Sequence, residues 1–276
     1  MAPLAHTLAL LAMAVATVAI KVVPLDMAKN SFDDQYLECS EKLSENLLEL
    51  QVSDFCKNEE FFKNWVNATA QWKNQGSVTS YLTRDQAIAV MAYTMKDTKL
   101  HKEFNDAVQE TGSSSWKYRN EFHFKSLHFL LTRAVQALKS RYCKNVFRGV
   151  AGLTFNATTG MEVRFGQFTS TSQKQDVAQG YGQDTMFKVH TCHGVDIQKY
   201  SYNQDDQEVL IPPFETFKVT SVSKEGSTMN IELQSTGTSS NYDCEWLKGG
   251  SFPRNSPNLG GLLLSIVAMA VVTETL

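Results

Sequence analysis

The chain reads as an α+β protein, its helices gathered in the first half and its strands in the second. Two observations carry this reading. Up to Leu138 the apolar side chains recur every three or four residues, the period of a helix face. From Val146 onward they alternate in short segments, the period of a strand. The two patterns are segregated along the chain, which argues against a doubly wound parallel sheet. A chain of this length buries one good core, so a single domain with two lobes is expected.

In order, Phe61 with Trp65 and Ala68 with Trp72 stand four residues apart on one helix, and Gln86 to Thr94 makes a second. In Glu121 to Leu138 the positions Phe124, Leu127, Leu131, Ala134 and Leu138 follow steps of 3, 4, 3 and 4, one stripe of an amphipathic helix. These aromatic stripes read as core. Strands are expected at Val163–Phe168, Thr185–Thr191, Val195–Tyr200 and Val209–Val222. Met229, Ile231 and Leu233 then alternate with Asn230, Glu232 and Gln234. The turn Lys224-Glu225-Gly226-Ser227 before them predicts a hairpin.

The termini frame this domain for export. Met1 to Ala19 holds no Asp, Glu, Lys or Arg, and its apolar stretch Leu8 to Ala16 is too short to span a bilayer. Residues 1–19 therefore read as a signal peptide. At the other end Gly249-Gly250-Ser251, the spacer Phe252 to Asn258 and the apolar tail Leu259 to Val272 resemble a signal for glycosylphosphatidylinositol attachment, with residues 251–276 removed. The closing Thr273-Glu274-Thr275-Leu276 is polar for such a signal, so a weak transmembrane anchor or an apolar terminus stays as an alternative. What remains is a domain over 20–250, helical to about 140 and β from about 141.

Cysteine use agrees with export. Cys39, Cys56, Cys143, Cys192 and Cys244 contain no CxxC and no zinc-like spacing, and oxidised pairs are the default in a secreted chain. An odd count leaves one over, and spacing does not choose the pairing. The sequons Asn67-Ala68-Thr69 and Asn156-Ala157-Thr158 suit a glycoprotein surface. Net charge is −3 and stays −3 without the termini, whose only charges, Arg254 and Glu274, cancel. A mildly acidic domain has no electrostatic case for nucleic acid.

Three segments of the second half carry chemistry. Asp206-Gln207-Glu208 precedes the apolar run Val209-Leu210-Ile211, which on an extended backbone puts both carboxylates on one face. One acid of such a pair can stabilise a developing cation while the other orients or deprotonates a nucleophile. Phe147-Arg148-Gly149 offers a guanidinium that clamps a phosphate beside a residue that lets backbone approach a ligand. Phe168-Thr169-Ser170-Thr171-Ser172 supplies hydroxyls able to hold a carboxylate in one rotamer. An Arg, a Ser and a Glu two residues after another acid, on successive strands, form a more specific pattern than any one alone.

In that pattern the chain resembles the vertebrate ecto-mono-ADP-ribosyltransferases, arginine-directed relatives of cholera toxin with an Arg, Ser, Glu-x-Glu signature. The likeness also runs through Ser31-Phe32-Asp33-Asp34-Gln35-Tyr36, Ala92-Tyr93-Thr94, Arg164-Phe165-Gly166-Gln167 and Glu208-Val209-Leu210-Ile211-Pro212. It implies an N-terminal helical lobe followed by a β-sandwich NAD-binding core. It implies Arg148, Ser170, Glu208 and Asp206 as catalytic residues, and Tyr93, Arg148, Gly149, Gln167 and Ser201 as NAD contacts. Disulfides Cys39–Cys244 and Cys143–Cys192 follow from it, with Cys56 unpaired. NAD would be consumed as a substrate, with no metal and no permanently bound cofactor. The acceptors would be arginine-bearing extracellular or cell-surface proteins, and the membrane would be reached through a lipid anchor.

The chain departs from the signature at its first acid, where Asp206 is one methylene shorter than Glu and falls roughly 1.5 Å short. An error of about 1 Å can slow a positioned reaction on the order of a hundredfold. Transfer to arginine, chiefly NAD glycohydrolysis, and a silent surface-recognition domain are thus the three readings.

Overall fold

The computed structural model describes residues 20–76 and 81–248. The expected signal peptide and the anchor signal from Ser251 onward lie outside them. No helix among the described residues is long and apolar enough to cross a membrane.

After strand β1 (Lys21–Pro24) come seven helices, α1 (Ser40–Glu45), α2 (Leu47–Lys57), α3 (Glu59–Asn74), α4 (Arg84–Thr94), α5 (Leu100–Thr111), α6 (Ser115–Glu121) and α7 (Lys125–Ala137). The β lobe follows with β2 (Lys144–Val150), β3 (Leu153–Asn156), β4 (Glu162–Val163), β5 (Thr169–Ser172), helix α8 (Gln175–Gly180), β6 (Thr185–Thr191) and β7 (Val195–Asp196). It closes with β8 (Glu208–Ile211), β9 (Glu215–Glu225), β10 (Thr228–Thr238) and the short α9 (Glu245–Lys248). The α+β order is as expected.

Helix α4 is the axis of the first lobe. Thr83 accepts from Gln86 N while the Gln86 side chain accepts from Thr83 N, a capping box that fixes where it starts. Ala87 to Tyr93 is buried on every side, so the other helices wrap it. The helix ends where Met95 turns to φ −65°, ψ 119°. Helix α3 starts at Asn58, whose side chain accepts from Phe61 N, and carries Glu59 and Glu60 in the first turn and Lys73 in the last, each favourable to the helix dipole. The expected helix Glu121–Leu138 begins only at Lys125. Phe122 and Phe124 are both buried among Phe104, Tyr118 and Phe61, which a helix cannot arrange for residues two apart. The Asp54 carboxylate of α2 then caps α7, accepting from Ser126 N and Oγ at 2.7 and 2.8 Å.

In the second lobe eight strands form one mixed sheet ordered β4-β9-β10-β6-β2-β5-β8-β7, beside the small β1-β3 pair. Its β2–β5 seam is a single register pair, Phe147 with Ser172. Val209 and Ile211 of β8 pack with Phe187, Phe217, Ile231 and Leu233 of distant strands. The two parts of the sheet therefore fold face to face across one core, giving sandwich packing on one continuous ladder. The hairpin β9–β10 turns at Gly226, whose φ of +60° suits glycine.

Three expected strands are shorter than their patterns. Val163–Phe168 stops at Val163. Gly166 sits at φ +65° against Ala28, and the Arg164 guanidinium binds Asp33 while also donating to the carbonyls of Met27, Ala28 and Ser239. Pro212-Pro213 cuts Val209–Val222 into β8 and β9, because proline donates nothing to a ladder. The stretch Val195–Tyr200 keeps two strand residues and ends in turns. Disulfides link Cys39 to Cys244 and Cys143 to Cys192, and Cys56 is free and exposed.

Candidate active site

Strand alternation aims the central carboxylate. In β8, Val209 and Ile211 enter the core of the sheet, whereas Leu210 packs with Phe168 and Val195 against the helical lobe. Glu208 shares Leu210's face and so opens toward the cleft between lobes, a cavity of about 330 Å³. Antiparallel pairing with β5 sets Ser172 opposite Glu208 and Ser170 opposite Leu210, the diagonal neighbour on the same face.

Arg148 projects from β2 into this cleft and donates from Nη1 to the Ser170 carbonyl at 2.8 Å. Burial lowers its pKa, yet a guanidinium remains protonated at any physiological pH. Gly149 also borders the cleft, but the space a Cβ would need is filled by the Ala178 and Gly182 carbonyls, 2.2 and 2.3 Å away. Its missing side chain lets α8 close on β2. Tyr93, at the end of α4, donates to the Phe168 carbonyl at 2.8 Å, and burial pushes its pKa up to about 12, so the phenol stays neutral.

Glu208 is nearly sealed from water. Burial, helped by the charge of Asp206, raises its pKa, while the hydroxyls of Ser170 and Ser201 hold it down. Ser201 Oγ donates to Glu208 Oε2 at 2.9 Å. The Ser201 loop is held from the helical side, where Gln75 Nε2 donates to the Ser201 carbonyl at 3.2 Å and Tyr202 N to Thr94 Oγ1 at 2.9 Å. Ser201 thus lies behind the carboxylate, and neither it nor Gln167 lines the cleft.

The two acids meet by a route that strand periodicity does not foresee. Asp206 ends a 3₁₀ turn, Gln207 takes the left-handed conformation (φ 44°, ψ 52°), and only Glu208 begins the strand. Both still face the cleft. Ser172 Oγ donates to the Asp206 carbonyl at 2.7 Å and Gln173 N to the Gln207 carbonyl at 3.2 Å, anchoring the turn to β5. The Asp206 carboxylate accepts from Asn203 Nδ2 on Oδ1 at 2.8 Å and from the Tyr181 hydroxyl on Oδ2 at 2.7 Å. Lys96 Nζ sits 2.8 Å from the same Oδ2.

Lys96, His101, Asn105 and Tyr181 escaped the sequence reading, for they reach the cleft from separate loops and helices and leave no local signal. Asn105 Nδ2 donates to Tyr93 Oη and to the Phe168 carbonyl, while its buried Oδ1 has no partner among the described residues. Cys143, His190 and Cys192 cluster within metal-ligand reach, but both sulfurs belong to the disulfide.

An arginine, a hydroxyl-supported glutamate and a second acid thus stand together around one cleft. A family model described as NAD:arginine ADP-ribosyltransferase matches residues 25–241. The chain belongs to that family. It is 46% identical over 235 residues to the erythroblast NAD(P)(+)–arginine ADP-ribosyltransferase of Gallus gallus, covering 83% of this chain and 78% of that one. With the GPI-linked NAD(P)(+)–arginine ADP-ribosyltransferase 1 of Mus musculus the figure is 44% over 240 residues, covering 82% and 74%. The crystal structure of the eucaryotic mono-ADP-ribosyltransferase ART2.2 superposes with a TM-score of 0.71 at 36% identity, over 80% of this chain and 98% of that one. A mutant of ART2.2 in complex with NAD gives 0.69 at 34%, with the same coverage.

Proposed function

We propose that this chain transfers ADP-ribose from NAD, or from NADP, to arginine side chains of proteins and releases nicotinamide. The observation that carries this is the buried Glu208 carboxylate, fixed by hydroxyls on the cleft wall beside Asp206 and opposite Arg148. Arg148 neutralises the pyrophosphate and fixes the dinucleotide. The glycosidic bond then breaks with its electron pair leaving on the nicotinamide nitrogen. Glu208 stabilises the oxocarbenium-like ribose, a charge present mainly in the transition state. Asp206 orients the incoming guanidinium and takes its proton as the new C–N bond forms on the opposite face, with inversion. No bound metal or redox step is required, and NAD is consumed.

The expected signal peptide, the glycan sites and the anchor signal belong to the same proposal. Export through residues 1–19 and attachment after removal of 251–276 place the domain on the cell surface by a glycosylphosphatidylinositol anchor, its acceptors being extracellular or cell-surface proteins. Asn67 and Asn156 are both exposed, as glycosylation needs. Release from cells by a phospholipase specific for inositol anchors tests this part, and persistent membrane association refutes it.

The catalytic part is tested with labelled NAD, with and without the arginine analogue agmatine. Nicotinamide release should accompany ADP-ribosyl-agmatine, and Glu208→Gln should abolish both, since the amide keeps the size but loses the charge. Near wild-type cleavage in a folded Glu208→Gln protein would refute the role of Glu208.

A further inference from the structure

Lys96 reaches the very carboxylate that an acceptor guanidinium would use. Its Nζ lies 2.8 Å from Asp206 Oδ2 and 5.1 Å from the centroid of the Tyr181 ring, whose hydroxyl donates to that same oxygen. A carboxylate beside an aromatic face is a subsite for a cation, and a guanidinium suits both parts because it pairs with carboxylates and stacks on rings. Here the subsite is filled from within.

The geometry favours a removable occupant. The Lys96 side chain is 47% exposed, whereas that of Asp206 is 17% exposed and stays fixed by Asn203 and Tyr181. Lys96 sits just past the end of α4, on backbone that has already left the helix. On its far side it borders a second hollow with Asp97, Tyr202 and Asn203, so it stands between the cleft and an open polar surface. The lysine can swing toward water while the carboxylate stays in place.

We propose that Lys96 is an internal surrogate for the acceptor guanidinium, holding the Asp206–Tyr181 subsite until an arginine side chain displaces it. The proposal rests on the transfer reading above. While Lys96 is in place the oxocarbenium meets only water; once it is displaced, the guanidinium takes over its ion pair. Burial works against the charge on Lys96, but its bonds to Asp206 and Tyr181 outweigh this and keep its pKa above the usual lysine value. The protonated amine has no lone pair to attack ribose, so Lys96 occupies the subsite without being modified.

The test compares wild type with Lys96→Met, which keeps the stem without the charge, and Lys96→Arg, which restores a cation. Losing one partly exposed ion pair should lower the ratio of the agmatine KM to the NAD KM about fivefold in Lys96→Met. Lys96→Arg should leave the ratio near wild type. An unmoved or raised ratio in Lys96→Met would overturn the proposal, as would ADP-ribose found on Lys96 by mass spectrometry. A second arm needs no turnover: calorimetry of agmatine with Glu208→Gln protein saturated with NAD, with and without Lys96→Met. Binding tightened about fivefold alongside no transfer in wild type would sink the transfer reading and keep the subsite. Unchanged or absent binding in both would sink the subsite.

Discussion

Ser201 donates its hydroxyl to Glu208 Oε2 at 2.9 Å, and the two residues are only 1% and 8% exposed. The bond crosses seven positions of sequence and Ser201 does not line the cleft, so among the described residues Ser201 acts on the site through Glu208. A hydrogen bond to a charged group contributes roughly 1.5–3 kcal/mol, which corresponds to about one to two pKa units. Ser201→Ala should therefore shift the acid limb of the pH–rate profile upward, because this lowering bond is gone while burial and the Ser170 bond remain. A profile that drops in height without moving would mean that Ser201 only packs the loop.

How much of this was legible in the sequence depends on how local each signal is. The hairpin at Gly226 and the strand Thr185–Thr191 follow from alternation between near neighbours, and both stand where the pattern puts them. Arg148, Ser170 and Glu208, singled out on short β segments and by the family resemblance, stand on strands that line the cleft. The strand at Val163 was overestimated because the forces that end it are remote, Asp33 pulling on Arg164 and Ala28 crowding Gly166. The left-handed Gln207 defeated the period-two argument for the acid pair, although Asp206 and Glu208 share the cleft. The pairing of Lys96 with Asp206 spans the two lobes, and no sequence period encodes such a contact.

Asp54 gives a prediction for pH. Burial pushes its pKa up to about 6 against the bonds from Ser126, compared with an ordinary value of 3.8. The folded protein thus binds this proton more tightly than the unfolded chain. The stability linked to it is complete below about pH 3.8 and is lost as pH rises through about 6, roughly 3 kcal/mol in all. Asp54→Asn removes the titration while keeping an acceptor for Ser126. Its melting temperature relative to wild type should be higher at pH 7 than at pH 4, and the subtraction cancels every other titrating group. Equal differences at the two pH values would show that folding leaves the Asp54 pKa at its ordinary value.

The bond between Cys39 and Cys244 ties the start of α1 to the start of α9 across 205 residues. Closing a loop of that size stabilises by about 5 kcal/mol in the chain-entropy view, comparable to the net stability of a whole domain. Replacing both cysteines by serine should lower the melting temperature by roughly 10–20 °C. The buried Asp34, which accepts from Tyr36 N, Cys244 N and Glu245 N, would soften the loss by keeping the same ends together. Melting at the wild-type temperature would show that these bonds alone hold the ends.

Asp206 has two conceivable roles, and lengthening it separates them. Its carboxylate is held by Asn203, Tyr181 and Lys96, so its position is set by three partners and its reach by a single methylene. If that reach limits acceptor positioning, Asp206→Glu should raise transfer to agmatine relative to NAD hydrolysis, because the longer side chain meets the guanidinium while Glu208 still handles bond cleavage. Asp206→Asn should act in the opposite sense, lowering transfer and sparing hydrolysis, since water attacks without a carboxylate to align it. It also removes the charge that Lys96 pairs with, so the loss of transfer is expected even though the subsite is then open. The ratio of ADP-ribosyl-agmatine to free ADP-ribose measures both variants and cancels differences in folded fraction. An unchanged ratio in both would reduce Asp206 to an acidic turn residue, and acceptor choice would then lie with the cleft residues around Glu208.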